Sequence, residues 1–443
     1  MKCIVMTLLV VSARTIYSYD PGEIETSLSG NTSTSATPSS SDTTQDAGQS
    51  VEDDVSDPQA LSPISVSTVQ RGNWLLSYWG YANLMYDRQG GRRGKQQVCS
   101  TNVFIVNAQS SCDLLTLDLR GSLSLEPGTV GKKGYPLLFA LNDQLKVPLL
   151  DRMRPQDLFN ELAASLTCKI DDTKRVLFYA GIVGNPPLGP LAFHNYSGIL
   201  IPDAPIAYNW LDSTYGSYGT LLVGFIDQYV TLEIGAFNGC DSDEHHWDIQ
   251  RPRINSYCAR LSLTPSSYYS VQISGGSIRC PTADHQLNRV TASFCINKPW
   301  SWGAWYTSIC WGRNLNIPGN NLDAFLFQST AVVHEKHVLF GRLELISTDE
   351  VLSVSSHNHI CDGRDSQKDL ATIIVATRHN NSLLPIVHVG RWELGYMHRA
   401  ACHNGAYFGL GIAVSGSFVP RVLRACYGKH PLSCIIFGHL ETC

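Results

Sequence analysis

Seven charged residues, Asp118, Arg120, Glu233, Arg260, Arg289, Arg342 and Glu344, lie in segments where apolar and polar residues alternate. That spacing gathers them on polar faces. Charges of both signs on such faces can pair into a network, or line a wet path and tune which ions pass. A second group, Asp151, Asp157, Glu161, His194 and Asp212, lies in less regular sequence. Gathered together, these five would make a site for a cation or polar substrate. Dispersed, they would cap a helix near Pro155 and satisfy loop backbone groups. His245-His246, and His357 and His359 with Cys361, have soft-ligand character for zinc or copper. Nothing sets a coordination geometry for them, so no metal and no cofactor is assigned. No G-x-S-x-G nucleophile turn and no C-x-x-C pair occurs.

The elements that must position these residues are strands. From Leu114 to Leu125 the chain reads L-L-T-L-D-L-R-G-S-L-S-L, which sets Leu115, Leu117, Leu119, Leu123 and Leu125 against Thr116, Asp118, Arg120, Ser122 and Ser124. A period of two over this length predicts a strand with one apolar and one polar face. The pattern returns over 73–86, 99–107, 175–183, 218–226, 229–238, 255–264, 268–276, 289–297, 303–313, 322–334, 336–346, 370–379, 386–398, 405–415 and 432–441. The stretch Cys434 to Cys443 alternates poorly. About sixteen such segments, joined mostly by short turns, predict an all-β, antiparallel up-and-down transmembrane β-barrel. An arginine or lysine facing lipid at mid-depth costs about 2–4 kcal/mol, so the seven charges must face the lumen.

Composition agrees with this reading. Net charge is −5, from 33 basic and 38 acidic residues, and no basic stripe is interleaved with aromatics, so no nucleic-acid partner is expected. No apolar run after the start is long enough for a membrane helix. Aromatic residues crowd segment ends, as in Trp74, Tyr78, Trp79, Tyr81 and Tyr86, or Trp300, Trp302, Trp305 and Tyr306. They are read as interface girdles, with a sandwich core as the alternative. Met1-Lys2, an apolar stretch and Val11-Ser12-Ala13 make residues 1–19 a signal peptide. Residues 20–70, rich in Ser and Thr, make a disordered linker, and 71–443 make the barrel. The cysteines of an exported chain leave room for one or two loop disulfides.

Two segments break the period of two. Pro155 to Leu166 carries apolar residues at 158, 159, 162, 163 and 166, which predicts one short helix. Five prolines between Gly184 and Tyr215 preclude a central strand there and predict a long loop that can enter the lumen and narrow it.

Several words of the sequence carry a resemblance. Gly134-Tyr-Pro-Leu-Leu-Phe139, Leu149-Leu-Asp-Arg152, Asp157-Leu-Phe-Asn-Glu-Leu-Ala-Ala164, Gly189-Pro190, Ala204-Pro205, Trp210-Leu-Asp-Ser-Thr214, Ala236-Phe-Asn-Gly239, Trp311-Gly-Arg-Asn314, Leu322-Asp-Ala-Phe-Leu326 and Phe340-Gly-Arg342 resemble a largely uncharacterised family of exported Gram-negative proteins regarded as outer-membrane β-barrels. The resemblance spans about Gly72 to the C-terminus. It implies the barrel fold and a cell outer-membrane location, and no settled activity. The family tends to have histidines flanking the Pro of D-R-x-x-P-x-D-L-F and a His pair before W-L-D-S-T. Here Arg154 and Gln156 take the first positions, and Tyr208 and Asn209 the second.

These readings together lead to an expectation of a non-enzymatic, porin-like channel or passive uptake protein for small polar solutes or ions, embedded in outer-membrane lipid. A plugged structural or binding barrel without transport is the alternative. A barrel hydrolase using His194 is the weaker one, since neighbouring strands can assemble a His with an Asp or Ser without any local motif.

Overall fold

The computed structural model describes residues 66–142, 149–281, 285–349, 385–402 and 406–442. The first strands are β1 (Ser67–Arg71), β2 (Trp74–Arg88), β3 (Gln96–Ser111), β4 (Leu115–Leu123), β5 (Tyr135–Asn142), β6 (Leu149–Met153) and β7 (Phe159–Lys169). They are followed by β8 (Arg175–Gly184), β9 (Ser217–Asp227), β10 (Val230–Phe237), β11 (Ser256–Ser266), β12 (Tyr269–Cys280) and β13 (His285–Trp300). The last are β14 (Gly303–Asn316), β15 (Asn321–Val333), β16 (His337–Thr348), β17 (Val387–Ala401), β18 (Tyr407–Phe418) and β19 (Leu432–Thr442).

Sixteen of these, β2 to β4 and β7 to β19, pair with their neighbours in antiparallel order, and β19 returns to β2 from Cys434↔Arg88 to Thr442↔Gly80. The sheet is therefore a closed up-and-down barrel, which removes the exposed edges that an open sheet would present. Residues 67–71, all but the last of which the sequence places in the linker, are strand β1, an arm paired with the start of β2. Strands β5 and β6 form a separate hairpin.

Side-chain parity gives the barrel its polarity. Ile234, Ile273, Phe325, Leu339, Leu394 and Leu410 are 52–65% exposed on the outside, whereas Gln328, Thr330, Glu344 and Glu393 are completely buried inside. A protein in water rarely exposes contiguous apolar surface of more than a few hundred Å², so this outer face suits lipid. Within the aromatic clusters, Trp302 and Trp305 are exposed and suit a girdle, but Tyr306, of opposite parity to Trp305 on β14, and Tyr81 on β2 are buried inside. The poorly alternating end of the sequence is β19, in which Leu432, Ile436 and Leu440 face out and Ile435, Phe437 and His439 face in.

The expected helix over 155–166 is absent, and most of that segment is strand β7, paired with β4 and β8. The register shifts on both sides of β7: Asn160 of β7 is the extra residue against β4, and Ile182 of β8 is the extra residue against β7. An extra residue in a strand shifts the later side chains to the other face. Two β periods offset in this way imitate helical spacing. The expected strand 370–379 lies outside the described residues. The other fifteen expected segments coincide with barrel strands, and β7 supplies the sixteenth.

Candidate functional site

A sixteen-stranded barrel is wide enough for an aqueous channel. Here two segments occupy it. The first, residues 185–216 between β8 and β9, is termed the plug. From Pro186 to Ala207 every residue except Tyr196 is buried. The second is the β5–β6 hairpin, in which all eight β5 residues are buried. Leu137 of the hairpin and Ile199, Leu200 and Leu211 of the plug join inward wall residues such as Val103, Leu326, Val338 and Phe437 in one apolar cluster. The molecule's main core thus lies inside the barrel.

Because the plug forms no ladder, its backbone groups need other partners, and wall side chains supply many of them. Thr101 donates to Pro202 O at 2.9 Å, Gln328 Nε2 to Ala192 O at 2.8 Å, and Thr330 Oγ1 to Ser197 O at 2.8 Å. Ser274 Oγ accepts from Gly189 N at 2.8 Å, and the Ser197 and Ser308 hydroxyls meet at 2.7 Å. Gly189 has φ +86°, and a Cβ there would collide with the Leu211 carbonyl. The tight bend therefore requires glycine.

The strongest grip on the plug is ionic. Register sets Arg342 of β16 opposite Glu393 of β17, and Glu344 opposite Arg391. The plug lowers Asp203 into this grid, where Arg342 Nη1 contacts it at 3.1 Å and Arg391 Nη2 at 2.5 Å. Arg391 also meets Glu393 at 3.1 Å and Glu344 at 3.5 Å. Glu344 Oε2 accepts from the plug's Ala207 N at 2.9 Å. All five charged side chains are at most 2% exposed.

The other sequence-selected charges have separate places. Glu233 and Arg260, opposite each other on β10 and β11, form a buried pair at 2.6 Å. Asp118 is buried and accepts from Ser165, while Arg120 lies 5.8 Å from the Tyr179 ring. Arg289 is discussed below.

The five residues of the second group do not gather into one site. Asp151 has φ +62° in the hairpin and binds Arg93, Phe139 N and Tyr427. Glu161 sits on β7 and accepts from Tyr179 at 2.8 Å. Asp212 accepts from Ala192 N at 2.9 Å, and burial pushes its carboxyl up to about 7. Only Asp157 and His194 line a common cavity, of about 90 Å³, between plug and wall.

That cavity also holds residues that the sequence did not select. Arg154 donates to Tyr208 Oη at 2.9 Å and to Ser213 O at 3.1 Å, and it pairs with Asp241 at 3.5 Å. Gln156 connects Glu126, His194 and Asn160. Arg154, Gln156 and Tyr208 are three of the four positions where the resemblance expects histidine, and all three line this cavity. Burial pushes Glu126 up to about 8, against hydrogen bonds from Gln156 N and Asn102 N that act to lower it. Burial also pushes His194 down to about 4, so the ring is neutral near pH 7. Of the two adjacent histidines, His246 is buried with Nδ1 2.6 Å from Asp157, while His245 sits with Asp243 on the surface. His357, His359 and Cys361 lie outside the described residues. The disulfide Cys240–Cys280 ties the loop after β10 to the end of β12 beside the cavity.

No protein-family model matches this chain, and no curated protein matches it. Solved structures do. OmpF of Salmonella typhi in complex with daunomycin matches with 8% identity, covering 85% of this chain and 100% of that one, with a TM-score of 0.51. OprB of Pseudomonas putida matches with 9% identity over 84% of this chain and 94% of that one, with a TM-score of 0.47. An anion-selective porin from Comamonas acidovorans matches with 8% identity over 85% and 100%, with a TM-score of 0.45. At such identities the likeness is one of architecture, and by its fold this chain is a porin-like β-barrel.

Proposed function

We propose that this chain is an outer-membrane barrel for passive passage of small polar solutes or ions, held closed by its plug. The apolar outer face supports residence in outer-membrane lipid. One observation carries the closed state: Asp203 is clasped by Arg342 and Arg391 at the heart of a fully buried charge cluster. The words that carry the family resemblance support the same emphasis. Most fall in the hairpin, in the plug, or on β14, β15 and β16, which the plug touches.

A barrel hydrolase finds less support at His194. Its Nε2 is engaged by the Gln156 amide at 3.0 Å, and no carboxylate orients the ring among the described residues.

Planar bilayers test the proposal. Wild-type protein should be nearly silent, and protein in which residues 185–216 are replaced by a short flexible turn should show discrete conductance steps. Equal conductance from the two would mean that the plug does not close the path. Silence from both, with heat-dependent migration proving a folded barrel, would favour a structural barrel without transport.

A further inference from the structure

The cavity between plug and wall has an imbalance in its hydrogen bonding. Arg289 projects from β13 into its lining and is 2% exposed. Its Nε donates to Asn314 Oδ1 at 2.8 Å, and its Nη2 to Asn209 O at 2.6 Å and Ser213 Oγ at 2.9 Å. Its Nη1 has no partner among the described residues. His194 repeats the pattern. The Gln156 amide oxygen accepts from Asn160 Nδ2 and its amide nitrogen donates to His194 Nε2, so Nε2 accepts and the ring proton sits on Nδ1. That Nδ1 is also without a partner among the described residues. Two lining residues, each more than nine-tenths buried, therefore hold spare donors.

Buried donors cost free energy when unmet, and donors in excess select a ligand made of acceptors. The carboxylates in the lining are engaged elsewhere. Asp157 is held by His246 and by Tyr218 Oη at 2.9 Å, and Glu126 takes backbone N–H groups. Asp241 holds Arg154 in a loose contact of 3.5 Å at the rim, where Asp241 is 46% exposed and marks the way in. Arg154 and Arg289 converge on Ser213, one on its carbonyl and one on its hydroxyl, so two guanidiniums lie within one residue of each other. Beside them Met153, Phe193, Ile278 and Leu287 supply apolar surface. The volume of about 90 Å³ suits a molecule of a few heavy atoms.

We propose that this cavity is a binding site for a small organic carboxylate, its oxygens taken by Arg289 Nη1 and His194 Nδ1 and its short carbon body lying on the apolar wall. A carboxylate offers one charged oxygen to each of the two donors, and the apolar surface favours it over inorganic oxyanions. The assignment needs the plug in place and does not need the barrel to conduct. A silent bilayer therefore leaves it standing, and loss of binding leaves the closed-channel reading standing.

Calorimetric titration of the full chain, folded in detergent, tests it with three probes: acetate, its neutral isostere acetamide, and inorganic phosphate. Acetate should bind saturably and acetamide should not. Arg289→Gln should weaken acetate at least tenfold. His194→Phe keeps a ring between Phe193 and Tyr215 and removes the donor, so it should weaken acetate severalfold even if the arginine variant does not fold. No saturable acetate binding to folded wild type, equal binding of acetamide, binding unchanged in a folded variant, or preference for phosphate would overturn the assignment.

Discussion

Arg391→Met is expected to unseat the plug, at a cost of about 3–5 kcal/mol, the range found when one partner of a buried ion pair is removed. Arg391 is the only side chain in the cluster that touches all three carboxylates, Asp203, Glu344 and Glu393. Without it they face Arg342 alone in a site closed to water. Methionine keeps most of the volume, so the loss is electrostatic. The cost should appear as a lower thermal midpoint in detergent and as faster proteolysis between Pro186 and Ala207. Adding Asp203→Asn to Arg391→Met should recover part of the loss, because it removes a carboxylate that the first change orphaned. No shift in either measurement would mean that the cluster does not hold the plug.

Leu343→Arg is expected to block membrane assembly. Leu343 is 44% exposed at the middle of β16, between Phe327 of β15 and Trp392 of β17. A guanidinium on the lipid face near the bilayer midplane costs about 2–4 kcal/mol. Gln228→Arg, in the exposed turn between β9 and β10, is the control and should assemble normally. The readout is the unboiled, faster-migrating fraction of membrane-extracted protein. Equal fractions for both variants would show that this face does not meet lipid.

The barrel was legible in the sequence because each strand carries its own signal: one apolar and one polar face at a period of two. Strand β7 was not, since the extra residue Asn160 let two strand phases pass for a helical one. The filling of the lumen was half legible. The prolines between Gly184 and Tyr215 exclude a ladder strand, but they do not say that the loop would be packed throughout. Parity alone implies that inward positions such as Ser122 are wet, and would tolerate Ser122→Arg better than Leu119→Arg. Ser122 is instead completely buried, so arginine there should be tolerated no better. Partners across the lumen were the least legible. Asp203 carries no local pattern, and its meeting with Arg342 and Arg391 depends on strand register and on the path of the plug. The same holds for the cavity, where Asp157 and His194 were readable as candidates and Arg154, Gln156 and Tyr208 stood out only as departures from a resemblance.

Whether the plug is seated in the lumen of the membrane-embedded protein is tested most directly by a cross-link between plug and wall. Ser197 of the plug and Ser308 of β14 are both buried, with their hydroxyls 2.7 Å apart. A Ser197→Cys, Ser308→Cys protein should form that disulfide under mild oxidation in intact membranes, detected as a linked peptide by mass spectrometry and absent when either change is made alone. Failure of the pair to link in protein whose heat-dependent migration proves a folded barrel would contradict the account.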